Sequence, residues 1–154
     1  GLMRNPTNFG TTTVATASTR RQLYAAVFSS VSGTFAADEE INQASTGAVG
    51  KVVEYDATNK LLYWYQTRFP DVGTDANGNA TAFSGANAIT GQTSSASATP
   101  NTSSSTDVNG VSITSGYSNP ELAADSGDII YVEERSPITR ASDQTENIKL
   151  IIEF

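Results

Sequence analysis

With neither cysteine nor histidine in this sequence, its 16 Asp and Glu, against 9 Lys and Arg, are the side chains on which any chemistry would rest. Those absences remove thiolate nucleophiles, disulfides, iron–sulfur clusters and cysteine or histidine zinc sites. They also remove the Ser-His-Asp and Cys-His machineries. A hydrolase built from this chain has only paired acids to work with, and Glu133, Glu134, Asp143 and Glu146 are the candidates. Glu133 and Glu134 are adjacent on an extended segment, so they point to opposite faces and cannot share a substrate. Nothing in the spacing selects another pair. No catalytic residue and no cofactor is expected.

Oxygen ligands for a cation fare no better. Asp75-Ala76-Asn77-Gly78-Asn79 sets Asp and Asn at alternate positions, as the start of a calcium loop does. An EF-hand needs glycine at its sixth position and a bidentate glutamate at its twelfth, and Ala80 and Ala86 stand there. A polar turn is expected instead. Asp125-Ser126-Gly127-Asp128 offers two carboxylates, but Ser-Gly-Asp ahead of an apolar run is ordinary turn chemistry. No metal is expected at either place. The net charge of -7 opposes phosphate backbones and anionic membrane surfaces, which bind through lysine and arginine. Neither nucleic acid nor membrane is therefore an expected partner. No apolar run approaches the roughly 20 residues of a bilayer span.

The elements that must carry these residues read as strands. Ile148, Leu150, Ile152 and Phe154 alternate with Asn147, Lys149 and Glu153, broken only by Ile151, which predicts a half-buried strand at the C-terminus. Val49–Tyr55 is rich in β-branched residues, Asp56-Ala57-Thr58-Asn59-Lys60 has turn chemistry, and Leu61–Phe69 is aromatic. Together they predict a hairpin. Leu61, Tyr63, Tyr65 and Phe69 share one face and Leu62 and Trp64 the other, so the hairpin is expected to be covered on both sides. Ile129–Glu134, after Gly127-Asp128, predicts another strand. Arg20–Phe28 fits a helix through Leu23/Val27 and Tyr24/Phe28, or a strand with Tyr24, Ala26 and Phe28 on one face. The Ser and Gly that follow favour the strand.

Residues 76–106 carry no charge, and Phe83 and Ile89 are their only large apolar residues. Such composition buries little surface to offset its ordering entropy, so an exposed loop or flexible arm is expected. One echo crosses this stretch. Phe35, Ile41, Ser45 and Ala48 have the spacing of Phe83, Ile89, Thr93 and Ala96. Chance similarity and a duplicated strand–turn–strand unit both account for it.

The segment from Glu134 to Glu146 joins two strands, so Ile129–Phe154 reads as a long-looped hairpin. Pro137 is barred from a sheet interior. Arg135 and Arg140 stand among Glu134, Asp143 and Glu146, where charge-assisted hydrogen bonds can tie the loop down. Arg135, Pro137, Arg140, Asp143, Gln144 and Glu146 are thus candidates for loop staples or for a contact with a neighbouring subunit.

The run Gly127-Asp128-Ile129-Ile130-Tyr131-Val132-Glu133-Glu134-Arg135, with Pro137-Ile138-Thr139-Arg140, Asp143-Gln144-Thr145-Glu146 and Ile148–Phe154, resembles the end of a phage protein family. That family is the gene-eight baseplate wedge subunit of T-even-like contractile-tailed phages, in a texture closest to cyanophage members. The resemblance is good over the last 28 residues, weaker over Phe35–Phe69, and slight over 70–120. Gly1-Leu2-Met3-Arg4-Asn5-Pro6 resembles an internal stretch of the same family, which implies that this chain is a C-terminal portion.

A length of 154 residues suits one domain. The expected fold is all-β, an antiparallel β-sandwich or two-layer sheet over 1–154, with a flexible low-complexity insertion at about 70–120. The resemblance implies a structural part of the virion's tail baseplate, assembled in the host cytoplasm. Its implied partners are other wedge proteins and, at full length, a second copy in a dimer. The alternative is a carbohydrate-binding or adhesin-type β-sandwich, with Tyr63, Trp64 and Tyr65 as a stacking platform.

Overall fold

A computed structural model describes residues 2–19, 21–66, 72–123 and 126–134. Nine strands form among them: β1 (Leu2–Arg4), β2 (Tyr24–Val27), β3 (Glu40–Gln43), β4 (Ala48–Asp56), β5 (Leu61–Tyr65), β6 (Ile89–Gly91), β7 (Ser97–Ala98), β8 (Tyr117–Ser118) and β9 (Asp128–Tyr131). Seven of them make one sheet in the order β7-β6-β3-β4-β5-β2-β8, while β1 and β9 pair separately. All pairings are antiparallel. The all-β expectation holds.

The predicted hairpin is β4–β5. Asp56 closes its turn, Oδ1 accepting from the backbone N–H of Thr58 and Asn59 and Oδ2 from the Asn59 amide. Those bonds, the Asn59 side chain first, hold the Asp56 carboxyl below its ordinary value. Val52 faces Trp64 and Glu54 faces Tyr63, so Val53 is an extra residue in the pairing. This bulge resets the alternation, and Tyr55 joins Val52 against the same apolar cluster. The ambiguous Arg20–Phe28 segment resolves as a strand over Tyr24–Val27, pairing with β5 and β8.

Both faces of the sheet are covered. One gathers Ala26, Phe28, Ile41, Val52, Leu62, Trp64 and Ile89 with Phe35 and Phe83. The other packs Ala25, Val27 and Leu61 against Val111 and Ile113. Beyond β2 and β7 the chain brings the sheet's ends together. Ser32 and Ser97 exchange backbone hydrogen bonds at 2.9 Å, and the Asn101 N–H donates to the Val27 carbonyl at 2.8 Å. The first face is thereby enclosed.

The expectation of an exposed loop over 76–106 is corrected. The stretch contributes β6 and β7 and buries Phe83, Ile89, Ala96 and Ala98. Small side chains let backbones approach closely around the large rings of this enclosed face. Gly50 shows the constraint: a Cβ there would fall 2.7 Å from Trp64 Cδ1. The predicted strand over Ile148–Phe154 lies outside the described residues.

Candidate assembly interface

The aromatic hairpin is core. Trp64 is 1% exposed. Its indole stacks on Tyr24 with centroids 5.9 Å apart and receives Phe83 edge-on at 5.0 Å. Its Nε1 has no hydrogen-bond partner among the described residues, so packing holds the ring. A side chain enclosed in this way offers no face to a sugar, and the platform of Tyr63, Trp64 and Tyr65 is not formed at the surface.

Among the described residues the acidic candidates do not converge. Asp75 Oδ1 accepts the backbone N–H of Asn77 and Asn79, both at 2.9 Å, which lowers its pKa and makes the segment a turn. Asp128 faces Arg4 at 3.6 Å and Asn5 at 3.5 Å on the surface. Among the described residues no three His, Cys, Asp or Glu form a metal-holding group. Glu133 and Glu134 are exposed. Arg135, Pro137, Arg140, Asp143, Gln144 and Glu146, the staple or contact candidates, lie outside the described residues.

One carboxylate that spacing did not flag is engaged deep in the fold. Glu39 is buried, and it accepts hydrogen bonds from the backbone N–H of Ala36, Thr93 and Ser94 and from the Ser94 hydroxyl. Burial pushes its pKa up, but those bonds together outweigh burial and leave it below 4.5. Lying between Asp38 and Glu40, Glu39 has no sequence signal that sets it apart. Its donors tie residue 36 to the distant turn at 93–94, which makes it a structural anchor.

The unusual surface lies at the β1–β9 ribbon. Leu2, Met3, Ile129, Ile130, Tyr131 and Val132 are all exposed, Ile129 to 72% and Ile130 to 60%. Consecutive residues point to opposite faces, so both faces of the ribbon present large apolar side chains to solvent. The ribbon is anchored beside the main sheet. Thr7 N–H donates to Ser126 Oγ at 2.9 Å, Phe9 N–H to the Glu121 carbonyl at 2.8 Å, and Phe9 packs edge-on against Tyr24. A two-stranded ribbon is marginal alone in water, and an exposed apolar strand edge is a template for pairing. The sequence shows β9 plainly. Its partner β1 is three residues long and carries no pattern that would reveal it.

The family model described as "Bacteriophage T4, Gp8" matches residues 64–154. The chain belongs to the Gp8 family. Gp8 is a structural baseplate protein and not an enzyme, which makes this chain a phage baseplate component and part of the virion. No curated protein and no solved structure matches the chain. The bounds of the Gp8 match include 70–120, where the resemblance in the residues themselves is slight. It takes in β6 to β9, including the exposed strand of the ribbon, and leaves β1 to β4 outside.

Proposed function

We propose that this chain is a baseplate wedge subunit that works by protein–protein contact, docking its β1–β9 ribbon on a neighbouring wedge protein. The observation that carries this reading is the ribbon itself, two faces of exposed leucine, methionine, isoleucine, valine and tyrosine on a β protein of the Gp8 family. Patches of this kind mark interaction sites, and an exposed strand edge accepts a partner strand through its backbone. The acidic balance suits a basic or apolar counterpart rather than nucleic acid. Finer expectations belong to the same reading. They are a dimer at full length, a cyanophage source, a C-terminal portion of a longer wedge protein, and a contact through the loop carrying Arg135 and Arg140.

The test is co-sedimentation of the chain with the other wedge proteins of its phage. Binding that is lost in Leu2→Asp and Ile130→Asp variants, with the thermal midpoint unchanged, supports the reading. A chain that stays a stable monomer and binds no tail protein overturns it.

A further inference from the structure

The spacing echo between Phe35–Ala48 and Phe83–Ala96 has a counterpart in the hydrogen-bonded register. In β3–β4, Ile41 pairs with Gly50 and Asn42 with Val49. In β6–β7, Ile89 pairs with Ala98 and Thr90 with Ser97, each residue 48 positions after its counterpart. Gln43 pairs with Ala48, and the Gly91 N–H donates to the Ala96 carbonyl at 2.8 Å. The turns agree as well. Gly47 and Ser95 both have positive φ, at 77° and 58°. Thr46 Oγ1 accepts from Ala48 N–H at 3.2 Å, and Ser94 Oγ accepts from Ala96 N–H at 3.1 Å. Phe35, Phe83, Ile41, Ile89, Ala48 and Ala96 all lie in one apolar cluster.

The two segments also meet each other symmetrically. β3 and β6 are antiparallel neighbours, and Asn42 stands opposite Thr90, its own counterpart. A strand pair in which equivalent residues face each other has a local twofold at that point, the geometry of an isologous contact.

The buried polar groups complete the correspondence. On one side of the twofold, Glu39 Oε1 joins Ala36 N–H at 2.7 Å to the Ser94 hydroxyl at 2.7 Å. On the other, Gln43 Oε1 joins Ser84 N–H at 2.8 Å to the Thr46 hydroxyl at 2.9 Å. Ser84 and Thr46 are the counterparts of Ala36 and Ser94. One acceptor does the same task at each end, but it is delivered from a different position. The counterpart of Gln43 is Gly91, where a Cβ would fall 2.6 Å from both Glu39 oxygens. The counterpart of Glu39 is Asn87, whose backbone carbonyl accepts from Gln43 Nε2 at 2.9 Å.

We propose that residues 35–50 and 83–98 are two copies of one strand–turn–strand unit, paired about a local twofold, with Glu39 and Gln43 as alternative anchors for the two equivalent turns. The inference stands on the register and not on the family reading. The test transplants one anchor arrangement into the other site of the whole chain. Gly91→Gln alone lowers the thermal midpoint by roughly 5 °C or more, because its side chain collides with Glu39. Adding Glu39→Asn restores at least half of that loss, since the glutamine then takes over the bonds to Ala36 and Ser94. Losses that simply add in the double variant overturn the proposal. A milder variant decides the matter if those chains do not fold. Exchanging Ala44-Ser45-Thr46-Gly47 with Gln92-Thr93-Ser94-Ser95 keeps the midpoint within about 3 °C, because each turn carries a partner for the same acceptor. Loss of the cooperative transition in that exchange equally overturns it.

Discussion

β5 and the apolar run that forms most of β9 are similar in character with opposite fates. Leu61-Leu62-Tyr63-Trp64-Tyr65 and Ile129-Ile130-Tyr131-Val132 are both short apolar runs with a tyrosine in third place. The first has β4 and β2 as neighbours and an apolar cluster on each face, and Leu61, Leu62 and Trp64 are buried. Among the described residues the second pairs with β1 alone, and all of its residues are exposed. The difference lies in what surrounds each strand. Large apolar patches that a fold leaves exposed mark interaction sites, and in the reading proposed above the counterpart of this one is a neighbouring wedge subunit.

Substitutions can break this contrast at its strong end. Trp64→Ala removes the ring that joins Tyr24 to Phe83, and costs about 3–5 kcal/mol. That lowers the midpoint by on the order of 10 °C in a thermal melt. Glu39→Gln gives up charge-assisted bonds to the backbone of residues 36, 93 and 94, and costs about 1.5–3 kcal/mol in a denaturant titration. The sign of its pH dependence follows from the depressed carboxyl. Its contribution is fully present above the ordinary value of 4.5 and is lost as pH falls through the lower folded value. Melts of the parent chain therefore steepen below pH 4.5 relative to the Gln variant, and parallel curves count against the role assigned to Glu39. Gly50→Ala presses a methyl on the Trp64 ring and costs about 1–3 kcal/mol. At the weak end, Ile130→Ser on the ribbon changes stability by less than about 0.5 kcal/mol.

How much of this was legible in the residues varies by element. β4–β5 and the turn at Asp56 were plain because alternation, β-branching and Asx chemistry agree there. β2 was readable once Tyr24, Ala26 and Phe28 were placed on one face. β6 and β7 were hidden, because alanine, glycine, serine and threonine look like loop when their partners are unknown. Their order comes from Ile41, Glu39 and Gln43, distant in sequence, and from close approaches such as Gly33 to Ala96 and Gly91 to Glu39 that leave room for little more than a small side chain. The spacing echo was the available signal, and only the register could separate duplication from chance. At the candidate interface, β9 was legible as a strand but not as an exposed one. Exposure depends on which neighbours a strand has, and no local pattern encodes that.

The scaffold and the docking surface separate most directly in one paired experiment on Ile130→Asp, which measures the thermal midpoint and the affinity for the other wedge proteins side by side. The account predicts a midpoint within about 2 °C of the parent and binding weakened at least tenfold, about 1.4 kcal/mol. Unchanged binding, or a collapse of the fold together with the binding, contradicts it.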